Sequence, residues 1–545
     1  MTRLVWTLAL AVGCATATEA PTPSTELVSL GDARLYRRMS LDLRGALPSI
    51  VELDELEAGS ALGDLRDGLF DDPRFEARLV DLLGQAWRTQ VDEFLVRYEE
   101  YPQLAGDPTL EYPFERAVGE EPLRLLARVA ADKAPWSTIV TADWTMANEV
   151  TGPLWPVDYP AGESGWRVVH YTDARPAAGV LSTNGLWWRY FSTVSNYNRG
   201  RVAAITRLLL CEDYSGRAVT LSGGDPDLGL EDNLRQNPAC LGCHASLDPA
   251  ATALFGFWPA NEYNLVELAN YHPEREKLGP DLLGVEPAWF GQPLDGLAHL
   301  GRLVADDPRF ARCTAETAAS LLWRRPVSSA DNLELEALTA AFAADDRFDR
   351  VLAAVTDGER YRAGGYGSAA SADTRSRELV VRLLDAPLLA SVLEDLTGFR
   401  WTYEGFEQLR NDTWGHRLLG GGVDGFYATR SQSAPGLTWL LVAQRATEAA
   451  AGHAVQVELV EGGAAQLFEG ISLTDRPGDA RFDSELSRLH RRLYGDRADA
   501  AWLAEVGALW TDLAAARADA ADADAADAWK GTVSALLQDP LFVTY

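Results

Sequence analysis

Asn237-Pro238-Ala239-Cys240-Leu241-Gly242-Cys243-His244 is the stretch around which the rest of the chain is arranged. Two cysteines three positions apart, followed directly by a histidine, form the attachment signature of a c-type haem. The two thiols add to the two vinyl groups of one porphyrin, and the tether brings His244 to the iron as an axial ligand. A redox dithiol needs no trailing histidine, and a closed zinc site needs four ligands where this cluster offers three. The sequence therefore predicts one haem c, held by Cys240, Cys243 and His244.

Length and charge limit the other classes of function. At about 150 residues per domain, a chain of 545 residues predicts three or four structural units. The 49 basic and 80 acidic residues give a net charge of −31, which repels nucleic acid and anionic membrane surfaces. We therefore expect no nucleic-acid partner. The sequence contains no P-loop, no His-Glu-x-x-His motif and no Ser-His-Asp motif, so hydrolase and nucleotide-binding functions are not favoured.

The start of the chain predicts export. Arg3 is followed by the apolar run Leu4 to Val12, which is too short to span a bilayer. Leu10-Ala11-Val12-Gly13-Cys14 resembles a bacterial lipobox, in which cleavage precedes the cysteine and the thiol is lipidated. We therefore expect a signal peptide over residues 1–13 and a lipidated tether over residues 14–30, rich in Thr, Pro and Ser.

The expected location is extracytoplasmic, as a bacterial outer-membrane or periplasmic lipoprotein. The alternative is an ordinary secretory signal cut near Ala15-Thr16-Ala17, which would give a secreted protein. No later segment is apolar enough for a transmembrane helix, so membrane contact is expected through the lipid anchor only. Export agrees with the haem motif, because bacteria attach c-type haem outside the cytoplasm.

Two further cysteines, Cys211 and Cys313, lie outside the motif and the signal. Disulfides persist in an oxidising compartment, so we hypothesise that these two cysteines pair. The alternative is two separately buried thiols.

The predicted fold class is mainly α, with several helical units around a loop-rich c-type haem domain and little β. Ser49 is expected to cap the helix after Pro48, the segment 165–171 to be a short strand, and Val455–Val460 to be a strand. The predicted units are an N-terminal helical domain over 31–130, a haem-bearing cytochrome c-like domain over 131–300, a helical domain over 301–363, a linker over 364–378 and a mainly helical domain over 379–545.

An arginine pair followed by a helix and an acidic turn recurs three times. We expect the arginines to be structural partners of such turns, and the units to be loosely related helical repeats. The three copies are Arg37-Arg38 with 72–75, Arg324-Arg325 with 357–361, and Arg491-Arg492 with 539–542.

Arg37-Arg38-Met39-Ser40-Leu41-Asp42-Leu43-Arg44-Gly45-Ala46-Leu47-Pro48 resembles the Lys/Arg-Arg-x-Ser-Leu-Asp-Leu-x-Gly-x-Leu-Pro block of a planctomycete-type multidomain cytochrome c family. The segment 237–249 is similar to its Asn-Pro-x-Cys-x-x-Cys-His-x-x-Ile-Asp-Pro block, with Leu247 in place of Ile. The segment 141–149 resembles its Thr-Ala-Asp-Tyr-Thr-Phe-x-Asn-Glu block. The resemblance covers about residues 31–365 and implies an exported monohaem cytochrome, in a family whose biochemical role is not established.

Two segments depart from that family pattern. Residues 250–254 stand where the family has Gly-Phe-Ala-Leu-Glu, and Tyr197-Asn198-Arg199-Gly200 stands where it has Arg-Thr-Ser-Pro. If these segments shape the distal face of the haem, we expect this protein to differ there.

The second axial position decides between an electron carrier and an enzyme, because a Met or His ligand closes the iron and an open position admits small ligands. The candidates for the sixth ligand are Met146, His170, His272 and His299, each of which is more often explained as a core or surface residue than as a ligand.

The leading hypothesis is a lipid-anchored cytochrome that passes electrons to an unknown redox partner in the cell envelope. The alternatives are a peroxidase- or oxidase-like haem enzyme with an open distal site, and a helical envelope scaffold with a structural haem.

Overall fold

The computed structural model describes residues 26–217, 229–260, 264–516 and 521–545. Within these ranges 58% of the structure is helical and 5% is strand, which confirms the predicted mainly α class. The predicted signal peptide, Cys14 and most of the predicted tether lie outside the described residues. No helix in the described ranges combines the length and the apolar character needed to cross a membrane.

The helices fall into four consecutive groups along the chain. The first group is α1 Asp32–Arg44, α2 Ile50–Glu57, α3 Leu62–Leu69, α4 Arg74–Trp87 and α5 Glu111–Ala131. The second is α6 Asn184–Arg189, α7 Arg199–Leu210, α8 Leu230–Gln236, α9 Pro238–Ala251 and α10 Leu278–Leu283. The third is α11 Gly296–Ala305, α12 Pro308–Trp323, α13 Asn332–Asp345, α14 Phe348–Asp357 and α15 Glu359–Arg362. The fourth is α16 Ala372–Arg377, α17 Ala386–Thr397, α18 Leu437–Ala454, α19 Ala480–Tyr494, α20 Ala500–Ala515, α21 Ala521–Gln538 and α22 Pro540–Val543.

Four small antiparallel ribbons, each of two strands, accompany the helices in the described part of the chain. Their strands are β1 Leu27–Ser29 with β6 Ala363–Tyr366, β2 Thr145–Ala147 with β3 Arg167–Val169, β4 Ala288–Trp289 with β5 Gln292–Pro293, and β7 Thr402–Tyr403 with β8 Phe406–Glu407. The predicted short strand in 165–171 is confirmed as β3. The predicted linker over 364–378 is structured, because it contains most of β6 and all of α16.

Ser49 caps α2 as its sequence position predicts. The Ser49 hydroxyl accepts a hydrogen bond from the backbone N–H of Glu52, and the Glu52 carboxylate accepts one from the backbone N–H of Ser49 at 2.7 Å. This reciprocal pair satisfies two of the N–H groups that every helix start leaves unpaired. The same carboxylate binds Arg44 at 2.7 Å, so the cap also ties α2 to the end of α1.

The prediction of a strand over Val455–Val460 is wrong, because these residues form a π-helix that continues α18. Their alternation of apolar and polar residues is short, and a short apolar segment does not distinguish strand from helix. The preceding alanine-rich helix and the Glu458 carboxylate decide the outcome. Glu458 accepts backbone hydrogen bonds from Gln466, Leu467 and Phe468, which fold the following loop back onto the helical turn.

Three clusters of buried apolar side chains make up the interior. The largest runs from Leu35 to Tyr361 and so draws on all three of the first predicted units. The second joins Leu41 and Leu47 to the chain from Leu383 onward, and the third is a small cluster around Phe94, between α5 and α6. α1 therefore contributes to both large clusters, and the division into separate domains stays a prediction.

The recurring arginine pairs are structural, as expected, although the first pair uses carbonyl groups instead of carboxylates. Arg37 donates to the carbonyl of Phe542 at 2.9 Å, and Arg38 donates to the carbonyl of Tyr361 at 2.7 Å. Phe542 and Tyr361 are the aromatic residues that end the other two acidic turns. The first pair therefore binds the turns of the second and third copies.

Asp42 is the carboxylate at the centre of this junction, and it is fully buried. It accepts hydrogen bonds from the hydroxyls of Tyr545 at 2.8 Å and Tyr361 at 3.1 Å, and it pairs with Arg382 at 2.5 Å. These three partners come from segments far apart in sequence. We call Asp42, Tyr361, Arg382 and Tyr545 the Asp42 junction.

Candidate haem-attachment site

The motif Cys240-Leu241-Gly242-Cys243-His244 lies on α9. The helix begins at Pro238, which suits a first helical position because it has no N–H to leave unpaired. The Asn237 side chain accepts a hydrogen bond from the backbone N–H of Ala239 at 2.9 Å and caps the helix. Thus the residues that flank the motif in sequence fix where its helix starts.

The helix places the three predicted haem-binding side chains together. Positions three and four apart in an α-helix lie on one face, so Cys240, Cys243 and His244 project to the same side of α9. Both thiols are free and partly exposed, and Cys243 packs at the edge of the largest apolar cluster. Two free thiols and a histidine on one helix face meet the requirement for attachment of one porphyrin.

The His244 ring is oriented by Asp248, one helical turn further on. The Nδ1 atom of His244 lies 2.9 Å from Oδ1 of Asp248. An ionised carboxylate can only accept hydrogen bonds, so in the neutral ring the hydrogen sits on Nδ1 and the lone pair on Nε2. Histidines that bind metals usually donate their other ring N–H to a carboxylate or carbonyl in this way. The arrangement leaves Nε2 of His244 as the nitrogen that would bind iron.

Asp248 is itself held by a second donor. Arg199, at the start of α7, donates to both carboxylate oxygens, with Nε 2.8 Å from Oδ1 and Nη2 2.9 Å from Oδ2. Burial opposes ionisation of Asp248, but the hydrogen bonds from His244 and Arg199 outweigh it and lower the pKa of the carboxyl group. The carboxylate is therefore charged and fixed where it meets the histidine.

The segment 197–200 reaches the motif from the His244 side. Asn198 adopts a left-handed conformation with φ +65° and is fully buried, and its side-chain amide donates to the carbonyl of Leu254 at 3.1 Å. This anchor sets the start of α7 and aims Arg199 at Asp248. The segment 197–200 thus supports the His244–Asp248 pair.

The Cys211–Cys313 disulfide holds the other end of α7. The two Cα atoms are 5.2 Å apart, within the usual range for a disulfide, and the bond joins the C-terminal cap of α7 to α12. The structure thus contains the pairing that we hypothesised from the sequence. α7 is fixed at one end by a covalent bond and carries Arg199 at the other.

The candidates for the sixth ligand each have another explanation. Met146 lies on β2 and is buried in the largest apolar cluster. His170 is exposed and lies 3.4 Å from Asp158, and His272 lies between Glu267 at 3.3 Å and Glu274 at 3.1 Å. The ring of His299 accepts a hydrogen bond from the backbone of Asp295. None of these contacts involves the motif, so the sixth ligand stays unassigned.

Sequence reasoning missed Asp248 and Arg199 as functional residues. Asp248 carries a signal, because a carboxylate four positions after a histidine faces it on a helix. Arg199 carries none, since it lies 49 positions away and meets Asp248 only through the tertiary fold. The residues 218–228 and 261–263, on either side of the motif in sequence, lie outside the described residues.

No protein-family model, curated protein or solved structure matches this chain. In the described ranges, no group of three or more His, Cys, Asp or Glu side chains is arranged to hold a metal ion.

Proposed function

We propose that this chain is an exported, lipid-anchored c-type cytochrome that holds one haem c and passes single electrons to a redox partner in the cell envelope. The observation that carries the proposal is the pairing of His244 Nδ1 with Asp248, on the helix face that also bears two free thiols. The Cys-x-x-Cys-His spacing accounts for the two thiols and the histidine, but not for the buried carboxylate that orients the histidine ring. A histidine that binds a metal through Nε2 accounts for that carboxylate as well, because such histidines usually donate their other ring N–H to a carboxylate.

When bound, haem supplies a one-electron iron couple. Cys240 and Cys243 would hold the porphyrin, and His244 would offer Nε2 to the iron. The negative charge of Asp248 on the opposite side of the imidazole increases the basicity of that nitrogen. Arg199 fixes the carboxylate through two hydrogen bonds, so the ring has one preferred orientation.

Two observations support export. The motif needs a compartment in which c-type haem is attached, and the sequence before residue 26 predicts a signal and a lipid anchor. The Cys211–Cys313 bond is of the kind that persists in oxidising compartments and is rare in the cytosol.

Covalent haem staining of cysteine variants tests the proposal. The full chain is produced with its signal in a bacterium that attaches c-type haem, and denatured samples are stained for haem. We expect staining of the wild type and its loss in the double variant Cys240→Ala/Cys243→Ala. The matched control is Cys211→Ala/Cys313→Ala, which also removes two cysteines and should keep the stain. Equal staining of the wild type and the Cys240/Cys243 double variant would overturn the proposal.

A visible spectrum with and without cyanide tests the electron-transfer assignment. An electron carrier keeps its low-spin spectrum when cyanide is added, because both axial positions are filled. A spectrum that shifts when cyanide is added at micromolar concentration would show that one axial position of the iron is open. That result would contradict the electron-carrier assignment and favour the haem enzyme.

A further inference from the structure

Four arginines meet where the end of α4, the end of α6, α7 and the loop before α18 come together. They are Arg88, Arg189, Arg207 and Arg430. Nε of Arg189 donates to the carbonyl of Arg88 at 2.6 Å, and Arg207 donates to the hydroxyl of Tyr190 at 2.6 Å. Most arginines of the described chain have a carboxylate within 4.0 Å, but among the described residues these four have none. We call them the arginine cluster.

The charges of the cluster act on one another. Burial is the main cause that lowers the pKa of Arg88, and the neighbouring Arg207 and Arg430 lower it further. Burial also lowers the pKa of Arg189, again with contributions from Arg207 and Arg88. Like charges held together without a carboxylate in ion-pair contact favour the arrival of an anion.

A cavity of about 190 Å³ opens beside the cluster, between α4, α12 and the segment 429–433. Arg88 and Arg430 line it, together with the hydroxyl-bearing residues Thr317, Ser320 and Ser433. Guanidinium and hydroxyl groups are the donors that bind phosphate and carboxylate oxygens. Three further arginines on its walls, Arg324, Arg325 and Arg382, already pair with buried carboxylates.

Helix ends and nearby acids act against this positive charge. α4, α7 and α12 end at residues that line the cavity, and each helix C-terminus carries roughly half a negative charge. Asp213 and Asp424 act on the cluster from outside the cavity, and each accepts local hydrogen bonds from Ser215 or from the backbone of 426–428. Glu316 is the only acidic side chain among the described residues of the cavity wall.

Arg88 is the C-terminal cap of α4, with a left-handed φ of +56°. Cys211 at the end of α7 and Arg324 at the end of α12 share this conformation, which is a common way for helices to end. The end of α4 therefore places Arg88 at the cavity wall.

We propose that this cavity binds the oxyanion of a small molecule, a phosphate or carboxylate group, with Arg88 and Arg430 as its ligands. The site is separate from the haem motif and does not depend on the proposed electron transfer.

Calorimetric titration of the full, mature protein tests this site. The probes are inorganic phosphate, pyrophosphate and citrate, titrated at low ionic strength, where charge–charge attraction is least screened. Phosphate or pyrophosphate binding with no citrate binding assigns the phosphate class, and the reverse assigns the carboxylate class. Absence of saturable binding by all three probes overturns the proposal.

Matched variants locate the binding. Arg430→Gln lies in an exposed loop and should weaken binding by roughly tenfold or more, as should Arg88→Gln. Arg445→Gln removes an exposed arginine of α18 outside the cavity and should leave binding unchanged. Glu316→Gln should instead tighten binding by several-fold, because it removes a negative charge from the cavity wall. Binding that survives both Arg88→Gln and Arg430→Gln in variants with wild-type circular dichroism overturns the proposal.

Discussion

The Asp42 junction and the motif helix each contain a buried carboxylate at a place where segments distant in sequence meet. The two carboxylates differ in the side chains that pair with them. Asp42 has two buried tyrosine hydroxyls and the buried guanidinium of Arg382 as partners. Asp248 has one buried arginine and a histidine that keeps a fifth of its side chain exposed. In both, burial opposes ionisation and nearby donors overcome it, so the pKa of each carboxyl group is lowered.

The difference shows how one kind of interaction serves architecture or function. At Asp42 every donor ends in the interior, so the carboxylate can only stabilise the fold. At Asp248 one donor is a ring whose second nitrogen is not used by the carboxylate. A buried carboxylate becomes part of a site when its partner has a further bonding position that can reach a ligand.

The largest effect is expected from Asp42→Ala. The variant leaves the guanidinium of Arg382 buried without its carboxylate, which should cost about 3–5 kcal/mol of unfolding free energy. Urea denaturation followed by circular dichroism measures it. The control is Asp54→Ala, which removes the exposed partner of Arg491 and should cost less than about 1 kcal/mol. Equal losses in the two variants would mean that the junction is not a structural centre.

Loss of the disulfide should have the next largest effect. Cys211→Ser/Cys313→Ser should lower the unfolding free energy by about 2–4 kcal/mol, because the bond closes a long loop. Hydrogen exchange should increase in α7 and α9, which the bond supports, and stay unchanged in α1 at the Asp42 junction. An equal increase in exchange in α1, α7 and α9 would contradict a local role for the disulfide.

Glu115 sharpens the comparison, because it is a buried carboxyl group without a cation partner at its Oε2 atom. Burial is the main cause that raises the pKa of Glu115 to about 9. The folded state then keeps a proton that the unfolded state releases near its ordinary value of 4.5. The stability it contributes is complete below that ordinary value and is lost as the pH rises through about 9, with a slope of at most about 1.4 kcal/mol per pH unit.

The measurement is unfolding free energy against pH for the wild type and Glu115→Gln. The variant should lose this downward slope, whereas Glu336→Gln, an exposed glutamate on α13, should keep it. Parallel curves for the wild type and Glu115→Gln would contradict the raised pKa.

The smallest effect is expected from Asp248→Asn. The amide keeps the shape of the side chain but removes the charge that faces His244, so the imidazole becomes a weaker donor to iron. We expect the midpoint potential of the haem protein to rise by about 50 mV, close to the 59 mV of a tenfold change for one electron. Asp307→Asn, another carboxylate paired with an arginine but distant in sequence, is the control. An unchanged potential in Asp248→Asn would mean that the carboxylate does not influence the axial ligand.

The helical class, the Ser49 cap and the positions of the motif cysteines follow from local signals in the sequence. Those features depend on spacing within a few residues, which sequence patterns report well. Arg199 could not be predicted, because its role depends on the left-handed Asn198 and on the packing of α7 against α9. The strand expected at 455–460 failed for a related reason, since the preceding helix overrode a short alternating pattern. Met146 is buried in the largest apolar cluster, as the core interpretation of that residue predicted.

Peptide mapping of the mature protein tests the central claim most directly. Tryptic cleavage after Arg235 and Arg275 releases one peptide that carries both motif cysteines and His244. From a host that attaches c-type haem, we predict that the mass of this peptide is increased by one haem, bound at Cys240 and Cys243. Recovery of the same peptide from exported protein with two free thiols, or with a bond between Cys240 and Cys243, would contradict the account.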